Sequence, residues 1–221
     1  MKCFRFGLLF MVLAMGCKSA KIVDRPIIFD DTRNQLTLEY LAGHYGLQQG
    51  TPSITPKMIV LHWTYIPTLQ KSFEAFNTSV LPDWRPELNN ASGLNVSSQF
   101  LVDQDGAIYR LMPETTMARH VIGLNHCAIG IENVGGTAET PLTQKQVKAN
   151  IKLVNYLAKK YPIDYLIGHY EYTNFENHEL WLEQDDGYRT EKTDPGQDFL
   201  NQVKQATRKF DFKQTPKKAI K

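Results

Sequence analysis

The 221-residue chain predicts an α/β fold, a single domain with a central mixed β-sheet and helices on both faces. Three observations carry this. Short apolar runs without polar alternation, MIVL, CAIGI and YLIG, read as strands buried on both sides. Between them lie stretches whose apolar residues recur every three or four positions, which read as covering helices. Length and composition, 42% hydrophobic and 22% charged, suit one hydrophobic core. A net charge of +2 argues neither for nor against a polyanionic partner, and no nucleic acid is expected.

In chain order, the first segment belongs to targeting rather than to the fold. Lys2 and Arg5 precede an apolar run from Phe6 to Met15, too short to span a bilayer but suited to an export signal. Gly16-Cys17 then resembles a bacterial lipoprotein box, so residues 1–16 are expected as signal peptide and Cys17 as the lipidated first residue of the mature chain. That places the protein in the cell envelope, anchored to a membrane by lipid. Lys18 is not the aspartate that commonly retains lipoproteins at an inner membrane, which favours the outer membrane, facing the periplasm. With Cys3 and Cys17 accounted for, Cys127 alone remains, and no intramolecular disulfide can form.

Residues 17–26 read as a tether and 27–210 as the domain, expected to be a monomer. Leu38 and Leu41 share a helical face that stops at Gly46. Ile59–Leu61 is the first strand. Leu69, Phe73, Phe76 and Val80 predict a helix ending before Pro82, and the aperiodic segment from Pro82 to Val96 a surface loop. Asp103-Gln104-Asp105-Gly106 between two β-type runs predicts a hairpin. CAIGI is a buried strand. Thr143 and Gln146 form a capping box for a helix with a Val147, Ile151, Val154, Ala158 stripe. YLIG is another strand, and Pro195 is placed to open a last helix. Residues 211–221 read as a basic, solvated tail.

Chemistry gathers where strands end. His62 follows MIVL, His169 follows YLIG, Glu132 follows CAIGI, and Lys192 and Asp194 precede the last helix. Two imidazoles and a carboxylate are a tridentate set for catalytic Zn2+, leaving a fourth position for water. Glu132 is placed to move protons and Lys192 to face a developing oxyanion, so the parts fit amide hydrolysis. No HExxH or CxxC cluster fixes the ligands locally.

IVLHWT, SSQFLVDQDGAIYRLMPE, ARHVIGLNHCAIGIENVGG, LIGHYE and KTDPGQDF occur in the order found in zinc-dependent N-acetylmuramoyl-L-alanine amidases of the type 2 family, which the chain resembles from about residue 54 to 200. That family shares its fold with the peptidoglycan recognition proteins. The resemblance implies that His62, His169 and Asp194 hold zinc, that Glu132 is the catalytic carboxylate and that Lys192 assists the transition state. It implies peptidoglycan or muropeptides as the partner. His120 is expected to line the substrate site, and Trp63 to pack beside His62 and face substrate. Noncatalytic muropeptide binders of the same fold typically lose a ligand, whereas the full set is present here.

The sequence departs from the family in two places. The 24 residues between His169 and Asp194 exceed its usual loop and offer Glu176, His178, Asp185 and Asp186 as rival ligands. Trp181 and Tyr188 within this insertion could face the groove or pack on the domain. Gln99 stands where relatives often carry histidine.

Overall fold

The computed structural model describes residues 21–83, 88 and 91–217. Residues 1–16, expected as a signal peptide, Cys17, expected as the lipidation site, and residues 218–221 lie outside them. Six strands form one mixed sheet: β1 (Ile22–Asp24), β2 (Met58–Leu61), β3 (Phe100–Val102), β4 (Ile108–Arg110), β5 (Ala128–Asn133) and β6 (Tyr165–Gly168). Their spatial order is β1-β4-β3-β5-β2-β6, and only the β3–β4 hairpin is antiparallel.

All four β2 residues are buried because the sheet is covered twice. Ile59 and Leu61 face α3 (Gln144–Lys160) and α4 (Gln197–Ala206), in a core with Ile129, Ile131, Leu153 and Val203. Met58 and Val60 point the other way, towards Tyr40, Leu41 and Tyr45 of α1 (Asp31–Tyr45). A smaller core holds Phe76 of α2 (Leu69–Asn77) with Leu101 and Leu111. Among the described residues, no helix is long and apolar enough to cross a membrane.

Local chemistry sets the helix limits. In α1 the Asp30 carboxylate accepts the Arg33 N–H at 2.9 Å, while Gly46, at φ +67°, ends the helix as a left-handed cap whose N–H donates to the Ala42 carbonyl. The helix therefore starts well before the Leu38–Leu41 pattern. Arg33 is 1% exposed because its guanidinium donates to the carbonyls of Phe76, Asn77 and Thr78, closing the end of α2. Burial lowers its pKa to about 10. The capping box of α3 forms as expected, with Thr143 Oγ1 accepting the Gln146 N–H and Gln146 Oε1 accepting the Thr143 N–H.

Several expectations need correction. Residues 22–24, placed in the tether, pair with β4 as an edge strand. Val80 lies beyond α2, half exposed in a bridge to Leu94. The α3 stripe is rotated: Asn150, Leu153 and Leu157 are buried, whereas Ile151 and Ala158 are only partly so. Leu94 and Asn95 are buried, so the end of the supposed surface loop belongs to the core. Pro195 precedes Gly196, the N-cap of α4, rather than opening the helix. In the supposed tail, the Lys213 N–H donates to the Asp164 carbonyl, Thr215 Oγ1 donates to Glu171, and Phe212 packs on the core beneath α3 and α4.

Candidate metal centre and groove

Strand register builds the site. Leu61 pairs with Ile131 of β5 on one side and Gly168 of β6 on the other. The next residues, Glu132, His62 and His169, therefore fall in one row across the sheet. Side chains alternate along a strand, and Ala128, Val60 and Ile167 already point to the α1 face, so all three members of the row point there too. Asp194 reaches the row from the approach to α4. Gly168 makes this possible, since a Cβ there would lie 3.0 Å from Pro195 Cδ and 2.7 Å from the Tyr170 ring.

His62, His169 and Asp194 are buried and converge. His62 Nδ1 lies 3.0 Å from His169 Nδ1 and 3.2 Å from Asp194 Oδ2, and His169 Nδ1 lies 3.0 Å from the same oxygen. Three donor atoms bonded to one tetrahedral ion at about 2.0–2.1 Å would stand about 3.3 Å apart, so this triangle fits a metal.

Protonation favours the same arrangement. His120 Nε2 lies 3.3 Å from the Ala128 carbonyl, which can only accept, so that nitrogen carries the proton. His120 Nδ1 is then the acceptor for His62 Nε2–H at 3.0 Å, which leaves His62 Nδ1 with a bare lone pair facing the triangle. Burial and the nearby His62 hold His120 well below the ordinary histidine pKa, and burial pushes His169 down to about 4. Burial alone would raise Asp194, but His169 and His62 hold it below the usual carboxylate range. Metal ligation needs this combination of neutral imidazole and ionised carboxylate.

Glu132, 8% exposed, and the partly exposed Lys192 line the same cavity of about 260 Å³. Trp63, Tyr65, His120, Arg119 and Tyr188 also line it. His120 lines this cavity with its ring nitrogens engaged by His62 and Ala128. Trp63 lies on the backbone of Gly136, where a Cβ would come within 2.5 Å of the indole.

The rival ligands are elsewhere. His178 Nδ1 accepts the Leu180 N–H and its Nε2 meets Tyr165 Oη at 3.2 Å. Glu176 pairs with Arg189, Asp185 accepts the Gly187 N–H, and Asp186 is exposed. Among the described residues, His62, His169 and Asp194 are the one set that could hold a metal. The insertion packs on the domain: Trp181 covers Gly123, and the buried Tyr188 accepts a hydrogen bond from Arg119 at 2.9 Å. Its base is tied by Tyr172 Oη, which donates to the Thr190 carbonyl at 2.7 Å and accepts the Thr190 N–H at 2.8 Å.

Sequence reasoning missed several supports. Gly130 leaves room for His120, because a Cβ there would lie 2.9 Å from the ring. Asn133 Nδ2 donates to the His62 carbonyl, and Asn150 Nδ2 to Asn133 Oδ1, tying the ligand strand to α3. Asn133, next to Glu132 at a strand end, was the one available signal. Gln99 is fully buried, accepting the Gly130 N–H and donating to the Thr116 carbonyl, so it braces β5. Arg119 donates to the carbonyls of Leu88, Ser92 and Leu94 and fastens the loop beside the cavity. Cys127 is buried, and burial pushes its thiol up to about 12, in keeping with a packing role.

Fold and site together define a hydrolase of the peptidoglycan amidase class. The family model Amidase_2, N-acetylmuramoyl-L-alanine amidase, matches residues 51–197, two thirds of the chain, and the protein belongs to that family. Among solved structures, the endolysin amidase LysCS from Clostridium intestinale URNW is similar at 23% identity and TM-score 0.52, covering 90% of this chain and 100% of its own. The Ph2119 endolysin from Thermus scotoductus MAT2119 bacteriophage Ph2119 is similar at 21% identity and TM-score 0.51, covering 84% and 98%. A selenomethionine AmpD derivative is similar at 21% identity and TM-score 0.50, covering 85% and 94%. At these identities the likeness is one of fold. None of the curated proteins matches the chain.

Proposed function

We propose that the chain is an exported zinc amidase that hydrolyses the amide between N-acetylmuramic acid and L-alanine in peptidoglycan or its fragments. The observation that carries this reading is the triangle of His62 Nδ1, His169 Nδ1 and Asp194 Oδ2 on the wall of a cavity that Glu132 and Lys192 also line. When bound, zinc supplies Lewis acidity towards a carbonyl oxygen and makes a water more acidic. Glu132, next to His62 in the row, takes a proton from the attacking water and returns one to the leaving alanine nitrogen. Lys192 sets positive charge beside the oxyanion of the tetrahedral intermediate. His120 holds His62 by its Nε2–H, and Trp63 borders the groove.

The same reading has Cys17 lipidated and the domain held as a monomer at the outer membrane, facing the periplasm. The sequence around Gly16-Cys17 supports the anchor, and mass measurement of the mature N-terminus tests it: an unmodified Cys17 removes it.

The experiment for the activity is mass spectrometry of muropeptides incubated with the protein, with zinc and with chelator. Release of stem peptide beginning with L-alanine, abolished by chelation, is the expected result. His62→Ala and Asp194→Ala should lose zinc and activity together, and Glu132→Ala should keep zinc and lose turnover. Muropeptides that bind tightly but stay intact in zinc would replace the enzyme with a noncatalytic recognition module.

A further inference from the structure

Tyr65 sits at the lip of the cavity, and neither metal binding nor proton transfer uses it. Its position is anomalous in two independent ways. It is 65% exposed, the most exposed of the large hydrophobic residues among those described. Its φ of +55° also lies in the left-handed region, where a bulky side chain is disfavoured. The other non-glycine residues described with positive φ are Asn177 and Asp211, types that tolerate this conformation.

The chain holds Tyr65 there firmly. Its N–H donates to the Gly135 carbonyl at 2.9 Å, and the Gly135 N–H donates to the Ile66 carbonyl at 2.9 Å. Thr64 Oγ1 accepts from the Ile66 N–H and from Ser72 Oγ, each at 3.1 Å, knotting the turn to α2. A disfavoured conformation persists where surrounding bonds over-determine it, and such residues gather at ligand sites. This one spends its strain on presenting an aromatic ring to solvent. The ring centroid lies 6.3 Å from that of Trp63, at 42° to it, so two aromatic side chains stand together in the lining of the cavity that His62 also lines.

We propose that Tyr65, with Trp63 beside it, is a stacking platform for the pyranose ring on the sugar side of the scissile amide. The proposal rests on the amidase reading above and adds which half of the substrate this lip receives. A pyranose ring offers a flat, uncharged C–H face that an aromatic ring covers well, whereas the stem peptide carries carboxylates. The accessible cation that suits a carboxylate, Lys192, lines another part of the cavity, while Arg119 is buried with its guanidinium held by loop carbonyls, and the Trp63–Ile66 lip carries no charge.

High exposure makes the test clean, because loss of the ring leaves no core defect. Two ligands are compared in the full chain: a disaccharide tetrapeptide, and the same peptide carrying only a lactoyl group in place of the sugars. Binding is measured by calorimetry in the zinc-loaded Glu132→Gln background and turnover in the otherwise wild-type enzyme. Tyr65→Asn should raise Tm by about 2–4 °C through relief of strain. It should weaken the disaccharide ligand about tenfold, the scale of a lost aromatic contact, and leave the lactoyl ligand unchanged. Tyr65→Phe should match wild type on both. Equal affinity of wild type and Tyr65→Asn for the disaccharide peptide, or equal weakening of both ligands, overturns the platform. Binding without cleavage by wild type would overturn the amidase reading, while the affinity comparison still decides the role of Tyr65.

Discussion

Replacing His120 with alanine removes no metal ligand and should still loosen the metal. In the native chain His120 fixes which nitrogen of His62 carries the proton, through a 3.0 Å bond to His62 Nε2 backed by a 3.3 Å bond to the Ala128 carbonyl. In the alanine variant His62 is free to rotate its ring or to place the proton on Nδ1, and either change withdraws one corner of the triangle. Loss of an outer hydrogen-bond partner of a metal-bound histidine costs about 10–100-fold in affinity, or about 1.4–2.7 kcal/mol. The backing bond to Ala128 is long, and His169 and Asp194 keep their own geometry, so the loss should fall near tenfold. Competition for zinc against a chromophoric chelator at neutral pH measures it, with near-ultraviolet circular dichroism reporting the fold. An unchanged zinc Kd would refute the reasoning. A raised KM at unchanged zinc affinity would return His120 to the substrate role that sequence reading gave it.

Two further outcomes follow from buried charge. His44 donates to Glu183 at 2.7 Å and to the Ala91 carbonyl at 2.9 Å, joining α1 to the insertion. Burial alone would lower the His44 pKa, but Glu183 and the Ala91 carbonyl reverse this and raise it above the ordinary value. Its contribution to stability is thus full below the unfolded histidine value of about 6.5 and fades as pH rises through the higher folded value. Thermal melts at increasing pH should show that decline, and His44→Gln should flatten it; a parallel decline in the variant assigns it elsewhere. Arg119→Met strips donors from the carbonyls of Leu88, Ser92 and Leu94 and from Tyr188 Oη, and should destabilise by about 2–4 kcal/mol. Urea unfolding measures this, and a midpoint shift worth under about 0.5 kcal/mol would show that the loop stands without its clamp.

What could be read from the sequence follows from how locally each feature is encoded. MIVL, AIGI and YLIG declared themselves because parallel strands buried on both faces carry no polar alternation. The Thr143–Gln146 box and the Asp105-Gly106 turn depend on neighbours within a few residues. The ligand positions were legible as strand ends, but their shared row needed the register of β5, β2 and β6. Strand β1 was illegible: it is three residues long, with Val23 44% exposed, and forms only because β4 lies beside it. Arg33 reads as a surface cation until α2 supplies carbonyls for it. The support from His120 to His62 depends on an absent side chain at Gly130, one strand away, and no spacing rule reports that.

The knot at Tyr172 and Thr190 separates two design problems within one chain. Everything outside it sets the chemistry, since His169 and Asp194 are fixed by their own strand and helix. Everything inside it is braced separately, by Phe175 in the core beneath α1, Trp181 on Gly123, Glu183 on His44 and Tyr188 on Arg119. The segment between them is therefore a wall with its own foundations, separate from the strands that carry the histidines. A replacement wall that kept those four seats could reshape the groove, and the triangle of His62, His169 and Asp194 would not have to be rebuilt.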